Sequence, residues 1–184
     1  MRRDKEPEHQ VEDLNQYDYF NAAEARAVVK KYAHSIGVFL INFSELEHIL
    51  NLAIAEILGN GRSHDVGYVV IESLSTQNKI ELFHKTYTRL AGSLQKSKNK
   101  VNSVAKKLKG LNKFRSSLVH ANWLSVDSVG FVRTKLIVGA DDGYVRFRKT
   151  RITPPMIARE IKVIQSLTLE IPELYEKFLF AGSA

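Results

Sequence analysis

A chain of 184 residues with 27 Lys and Arg against 20 Asp and Glu, formal charge +7 and no cysteine, has room for one domain with a sizeable core. It excludes a disulfide framework, a thiolate metal site and a thiolate nucleophile. The N-terminus, MRRDKEPEHQVEDLNQYDYF, holds no apolar run and reads as no signal peptide, and no apolar stretch approaches bilayer length, so a cytoplasmic location is expected.

Residues 1–20 are polar and aperiodic, and read as a flexible arm ahead of a single domain over 21–184. Asn21 with Glu24 forms a capping-box pattern that opens a first helix. Its apolar positions, Ile36, Phe39, Leu40, Phe43, Leu46, Leu50, Ile54, Ile57 and Leu58, keep a helical period. Gly37 is placed to kink or split that helix, and Gly59-Asn60-Gly61 ends it. A short helix is predicted over Asp65 to Ser73. Ser75 caps another from Thr76 to Leu90, with Ile80, Phe83, Tyr87 and Leu90 apolar. Ala91-Gly92-Ser93 breaks the chain, and Ser97 or Asn99 opens the next helix.

That helix, ending near Trp123, carries Val101, Val104, Leu108, Leu111, Leu118 and Val119 on one stripe. Arg115 falls near the centre of the stripe, where a guanidinium needs an anion, water or a route to the surface for its head. Ser116 and His120 share a face one turn apart, and His120 lies about 140° from Arg115 on the wheel. After Trp123 the period shifts towards two, and a β-hairpin is predicted over about 123–149 with its turn at Asp141-Asp142-Gly143. Thr153 and Pro154 open a last helix striped by Met156, Ile157, Ile161, Ile164 and Leu167, which Pro172 kinks or restarts. The fold class expected is therefore all-α, with one small hairpin before the last helix.

Charge is segregated. From Leu82 to Val126 there is no Asp or Glu, while the span carries Lys85, Arg89, Lys96, Lys98, Lys100, Lys106, Lys107, Lys109, Lys113 and Arg115. A basic run leading into Arg115 and His120 suits a polyanion such as RNA, with Lys106, Lys107, Lys109 and Lys113 as its contacts. No phosphate-binding glycine loop or nucleophile elbow is present, and His48, His64 and His84 lack zinc spacing. Glu47, on the shoulder of the first helix's apolar face, is a natural carboxylate partner for Arg115 or for His120.

Arg115, four residues, then His120 resembles the signature of the HEPN superfamily. Phe43-Ser44-Glu45-Leu46-Glu47 resembles that family's acidic first-helix motif, and Thr76-Gln77-Asn78-Lys79-Ile80 the start of its middle helix. The resemblance covers about residues 35–180. It departs at Ser116, where the family usually has Asn, Asp or His. It implies a helical bundle that dimerises with two motifs facing one cleft. Many members are metal-independent endoribonucleases of toxin–antitoxin, abortive-infection or CRISPR defence, and others are non-catalytic modules binding nucleic acid or protein. On this likeness Arg115, Ser116 and His120 are the catalytic candidates and Glu47 a supporting residue behind them. No cofactor or metal is implied. RNA, a second copy of the chain, and an antitoxin or nucleotidyltransferase are the expected partners, and no membrane is.

Overall fold

The computed structural model describes residues 8–10, 22–59, 64–120, 126–127, 130–138 and 145–180. The fold class is all-α. Five helices carry it: α1 (Ala22–Leu58), α2 (His64–Glu72), α3 (Thr76–Leu90), α4 (Gln95–Val119) and α5 (Pro154–Phe180). Four strands accompany them: β1 (Glu8–Gln10), β2 (Val126–Asp127), β3 (Gly130–Val138) and β4 (Val145–Ile152). The chain divides into two compact units, one of Met1–Val38 with Ser116–Ala158, the other of Phe39–Arg115 with Arg159–Ala184.

The second unit is wholly helical in its described residues. Phe39, Phe43, Leu46, Leu50 and Ile54 of α1 recur every three or four residues, and all are buried. Ile80, Phe83 and Tyr87 supply the stripe of α3, Val101, Val104, Leu108 and Leu111 that of α4, and Ile164, Leu167, Ile171 and Leu174 that of α5. Each such side chain contributes about 1.5–3 kcal/mol when fully removed from water, so these stripes, rather than helix propensity, hold the unit together.

Local signals set several helix ends. Ser75 is extended, and its hydroxyl accepts from the Asn78 N–H at 3.2 Å, satisfying one of the orphan donors of α3. Gly92, with φ of +54°, makes the left-handed turn into α4. In α2, Gly67 lies against the α1 backbone: a Cβ there would come within 2.4 Å of the Ala55 carbonyl oxygen, so only glycine lets the two helices approach this closely.

Three local expectations are corrected. α1 runs unbroken through Gly37, where an added Cβ would meet nothing within 4 Å; a lone glycine costs a helix only about 1 kcal/mol, and the packed stripe downstream outweighs it. α4 begins at Gln95 rather than at Ser97 or Asn99. Ser97 is inside the helix, buried, and its Oγ accepts from Lys177 Nζ at 2.9 Å. α5 continues through Pro172 without restarting.

Membrane-spanning length is the fourth correction. The Tyr32–Leu58 part of α1 is long and apolar enough to cross a membrane by length and composition, with mean hydropathy 1.3 over its best window. In the structure its apolar stripe is buried in the second unit while Glu45 and His48 are exposed, the two-faced pattern of a core helix.

In the first unit the strands pair antiparallel in the order β1-β4-β3-β2. Phe131 stands opposite Ile152 and Val138 opposite Val145; Val126 stands opposite Phe131; Glu8 stands opposite Arg148 and Gln10 opposite Arg146. The anticipated turn at Asp141-Asp142-Gly143 lies outside the described residues, as does the rest of the N-terminal arm on either side of β1.

Candidate functional site

The residues singled out in the sequence lie on α4 and α1. Arg115 is the last residue of the second unit's share of α4, and the burial of Leu108 and Leu111 on the same stripe places it among apolar neighbours. It is half-buried. Its guanidinium carbon stands 6.0 Å from the centroid of the Phe43 ring, at the outer limit of a cation–π contact. Phe43 stacks on Phe39 at 6.0 Å, and Phe39 meets Phe114 edge-on at 5.4 Å. The guanidinium thus lies over one ring, Phe43, of an aromatic cluster.

Glu47, anticipated as the carboxylate behind Arg115 or His120, is engaged elsewhere. Its Oε1 accepts a hydrogen bond from the Thr76 hydroxyl at 2.6 Å, tying α1 to the first turn of α3. Among the described residues no ion pair joins Glu47 to Arg115. Phe43 lies one helical turn before Glu47 on the same apolar stripe. That stripe is legible in the sequence, but nothing in it marks an aromatic ring as the partner of the cation.

Ser116 and His120 belong to the first unit, and both are exposed. The His120 N–H donates to the Ser116 carbonyl at 3.1 Å, so helical hydrogen bonding continues one residue past Val119. Residues 121–125, including Trp123, lie outside the described residues.

The basic run divides into two groups. Lys106, Lys109 and Lys113 are exposed at spacings of three and four, one face of α4 within the second unit. Lys107 instead reaches Glu170 of α5, Nζ to Oε1 2.6 Å, and Lys100 reaches Glu173 at 2.9 Å. Ser166 also donates to Glu170. The span around these lysines holds no acid, and the carboxylates that meet them come from 63 and 73 residues away.

This arrangement has a pH signature. Burial alone would raise the Glu170 carboxyl, but hydrogen bonds from Lys107 and Ser166, with the charges of Lys107 and Lys100, outweigh it and hold the group below its ordinary value of 4.5. A depressed folded-state value means stability present above about pH 4.5 and lost as pH falls through the folded value. Glu170→Gln is expected to flatten that acid limb in urea melts taken between pH 3 and 6 (a range of about three units around the ordinary carboxyl value). An unchanged limb would show that Glu170 does not carry it.

Among the described residues no group of three or more His, Asp or Glu side chains comes together as a metal site. His84 bonds Asn102 at 2.7 Å between α3 and α4. No protein family, curated protein or solved structure matches this chain.

Proposed function

We propose that the protein is a metal-independent endoribonuclease of HEPN type, acting in the cytoplasm in toxin–antitoxin or anti-phage defence. The proposed architecture is a HEPN-like bundle with the β3–β4 region as an inserted hairpin, dimerised so that two motifs share one cleft. The observation carrying the reading is the Arg115–four residues–His120 motif at the end of a helix whose exposed face bears Lys106, Lys109 and Lys113. Arg115 on its aromatic seat and exposed Ser116 and His120 are compatible with it.

The chemistry follows from the residue types. The neutral imidazole of His120 takes the proton of a ribose 2′-hydroxyl. The 2′ oxygen attacks the adjacent phosphorus, and the 5′ oxygen leaves and takes a proton from a His120 imidazolium, so the products are a 2′,3′-cyclic phosphate and a 5′-hydroxyl end. The Arg115 fork holds the non-bridging oxygens as charge builds on them. Ser116 donates to a phosphate oxygen. Glu47, through Thr76, fixes α1 beneath Phe43 rather than touching the arginine. The test is cleavage of single-stranded RNA in EDTA by wild type and His120→Ala, purified identically.

A second reading, a non-catalytic HEPN-like module that binds nucleic acid or a partner protein, is favoured by one observation: Ser116 stands where the family usually has Asn, Asp or His. Absence of cleavage by wild type across varied RNAs selects it.

Binding of RNA separates both readings from a purely structural role. Log affinity should fall linearly with log salt, losing about 0.7 of slope for each single-strand phosphate contact removed. The double variant Lys106→Ala, Lys109→Ala is expected to reduce the slope by about 1.4. Lys107→Ala is expected to leave it nearly unchanged, since that charge is offset by Glu170. Equal losses from the two variants would show that the pairing with Glu170 does not survive RNA binding.

A two-fold dimer is proposed because one arginine and one histidine about 140° apart on a helix make a poor site singly and a better one in two copies. Sedimentation at micromolar concentration is expected to give twice the chain mass. A monomer there removes the composite cleft.

A further inference from the structure

Within the second unit, α1 carries an exposed seam on the side away from its core stripe. Ile41, Glu45, His48 and Leu52 are spaced four, three and four apart. That spacing places all four within about 60° of one another on the helix, and it is the spacing along which two helices pack side by side. All four are exposed, Ile41 by 71% and Leu52 by 37%. Single exposed apolar residues are common on a protein surface; the arrangement of these four is what points to a partner.

The seam is symmetric in its chemistry. Ile41 and Leu52 are equidistant from the midpoint between Leu46 and Glu47, and so are Glu45 and His48. A second α1 laid antiparallel about a two-fold axis through that midpoint sets Ile41 against the partner's Leu52 and Glu45 against the partner's His48, each contact occurring twice. The imidazole N–H donates to the carboxylate. Parallel stacking would instead oppose Glu45 to Glu45, so charge selects the antiparallel arrangement. The seam also ends on a hollow. Leu52, with Ile49 and Ala53, lines a half-open cavity of about 270 Å³ whose far wall is Ile171 and Pro172 of α5. The same register brings the partner's Ile41 to the rim of that cavity, which has room for one branched side chain.

We propose that a second copy of this chain docks on this face, α1 against α1 antiparallel, with Ile41 at the mouth of the partner's cavity and Glu45 bonded to the partner's His48. Phe43, over which Arg115 lies, is about 160° around α1 from Ile41. The contact is therefore different from the composite cleft proposed above, and it stands whether or not that cleft forms. A seam ~17 Å long makes a small interface, of the class that associates weakly, so the contact is read by its register rather than by mass.

The chain has no cysteine, so an introduced thiol is the only one. Full-length Ile41→Cys and Leu52→Cys are mixed in equal amounts at submillimolar concentration and treated with a short bis-maleimide, with each variant alone alongside. A cross-linked dimer is expected in the mixture and nearly none from either variant alone, because the register opposes position 41 to position 52 and neither to itself. The mixed dimer keeps one native contact between Ile41 and Leu52. Adding Glu45→Lys to both variants is expected to cut the yield about tenfold, since two attractive pairs are lost. Adding His48→Glu as well is expected to restore it by reversing both partners. All these positions are exposed, so thermal melts should match wild type and a lost cross-link would not be lost folding. No cross-link in the mixture, an equal yield from Ile41→Cys alone, or no recovery in the charge-swapped pair would each overturn the contact.

Discussion

Replacing His120 by alanine is expected to lower cleavage of single-stranded RNA by about 10²- to 10⁴-fold, the usual contribution of a positioned general base. His120 is exposed and follows the last residue of α4, so stability should move by no more than about 0.5 kcal/mol. RNA affinity should stay close to wild type, because the charge of Lys106, Lys109 and Lys113 is untouched. Arg115→Ala is expected to cost about 10²- to 10³-fold, the loss of one donor from a charge-stabilising site. Its structural cost is small: the contact with Phe43 at 6.0 Å is worth about 0.5–1 kcal/mol, and Glu47 keeps its bond from Thr76. Arg115→Lys retains the charge but not the two-pronged fork, and should recover little activity. The measurement is the rate of cyclic-phosphate formation with EDTA present. Equal rates for wild type and His120→Ala would mean contamination or another site, and would end the assignment of His120 as base.

Tyr87→Ala is expected to destabilise the protein by about 3–5 kcal/mol, the range for removing a large aromatic from a core. Tyr87 is fully buried on α3. Its ring lies 4.2 Å from that of Phe83 and meets Phe178 of α5 edge-on at 5.8 Å, and its hydroxyl donates to the Ala53 carbonyl of α1 at 3.2 Å. One side chain thus ties three helices together. Burial, then the charges of Tyr175 and Glu56, push its hydroxyl well above the ordinary tyrosine value, so it stays a neutral donor through the working pH range. Tyr87→Phe keeps the ring and loses only the hydrogen bond, for a cost of about 1 kcal/mol. Thermal unfolding followed by circular dichroism should show a drop of about 6–20 °C for the alanine variant and a few degrees for phenylalanine. An alanine variant within about 1 kcal/mol of wild type would mean that Tyr87 is not at the centre of this core.

The helices were legible because their signals are periodic or local. The stripes of α1, α3, α4 and α5 announce themselves at spacings of three and four, and their central positions are buried, whereas Leu58, Leu90 and Val119 at the helix ends are exposed. Ser75 was legible as a cap because its partner is three residues away. The charge of Lys106, Lys109 and Lys113 was legible for the same reason, since all three stand on one exposed face of one helix.

Partnership between distant segments was not. Spacing along α4 distinguishes no lysine from its neighbour, yet Lys107 and Lys100 meet Glu170 and Glu173 of α5. An arginine on an apolar stripe calls for compensation, but only packing chose the Phe43 ring over the Glu47 carboxylate, and gave Glu47 to Thr76. Gly37 and Pro172 weaken a helix locally, yet α1 and α5 pass through them unbroken. The energy of burying residues on either side exceeds the local cost. The same holds for the cavity of about 270 Å³ lined by Ala53 of α1 and Pro172 of α5, which exists only where two helices remote in sequence are packed side by side.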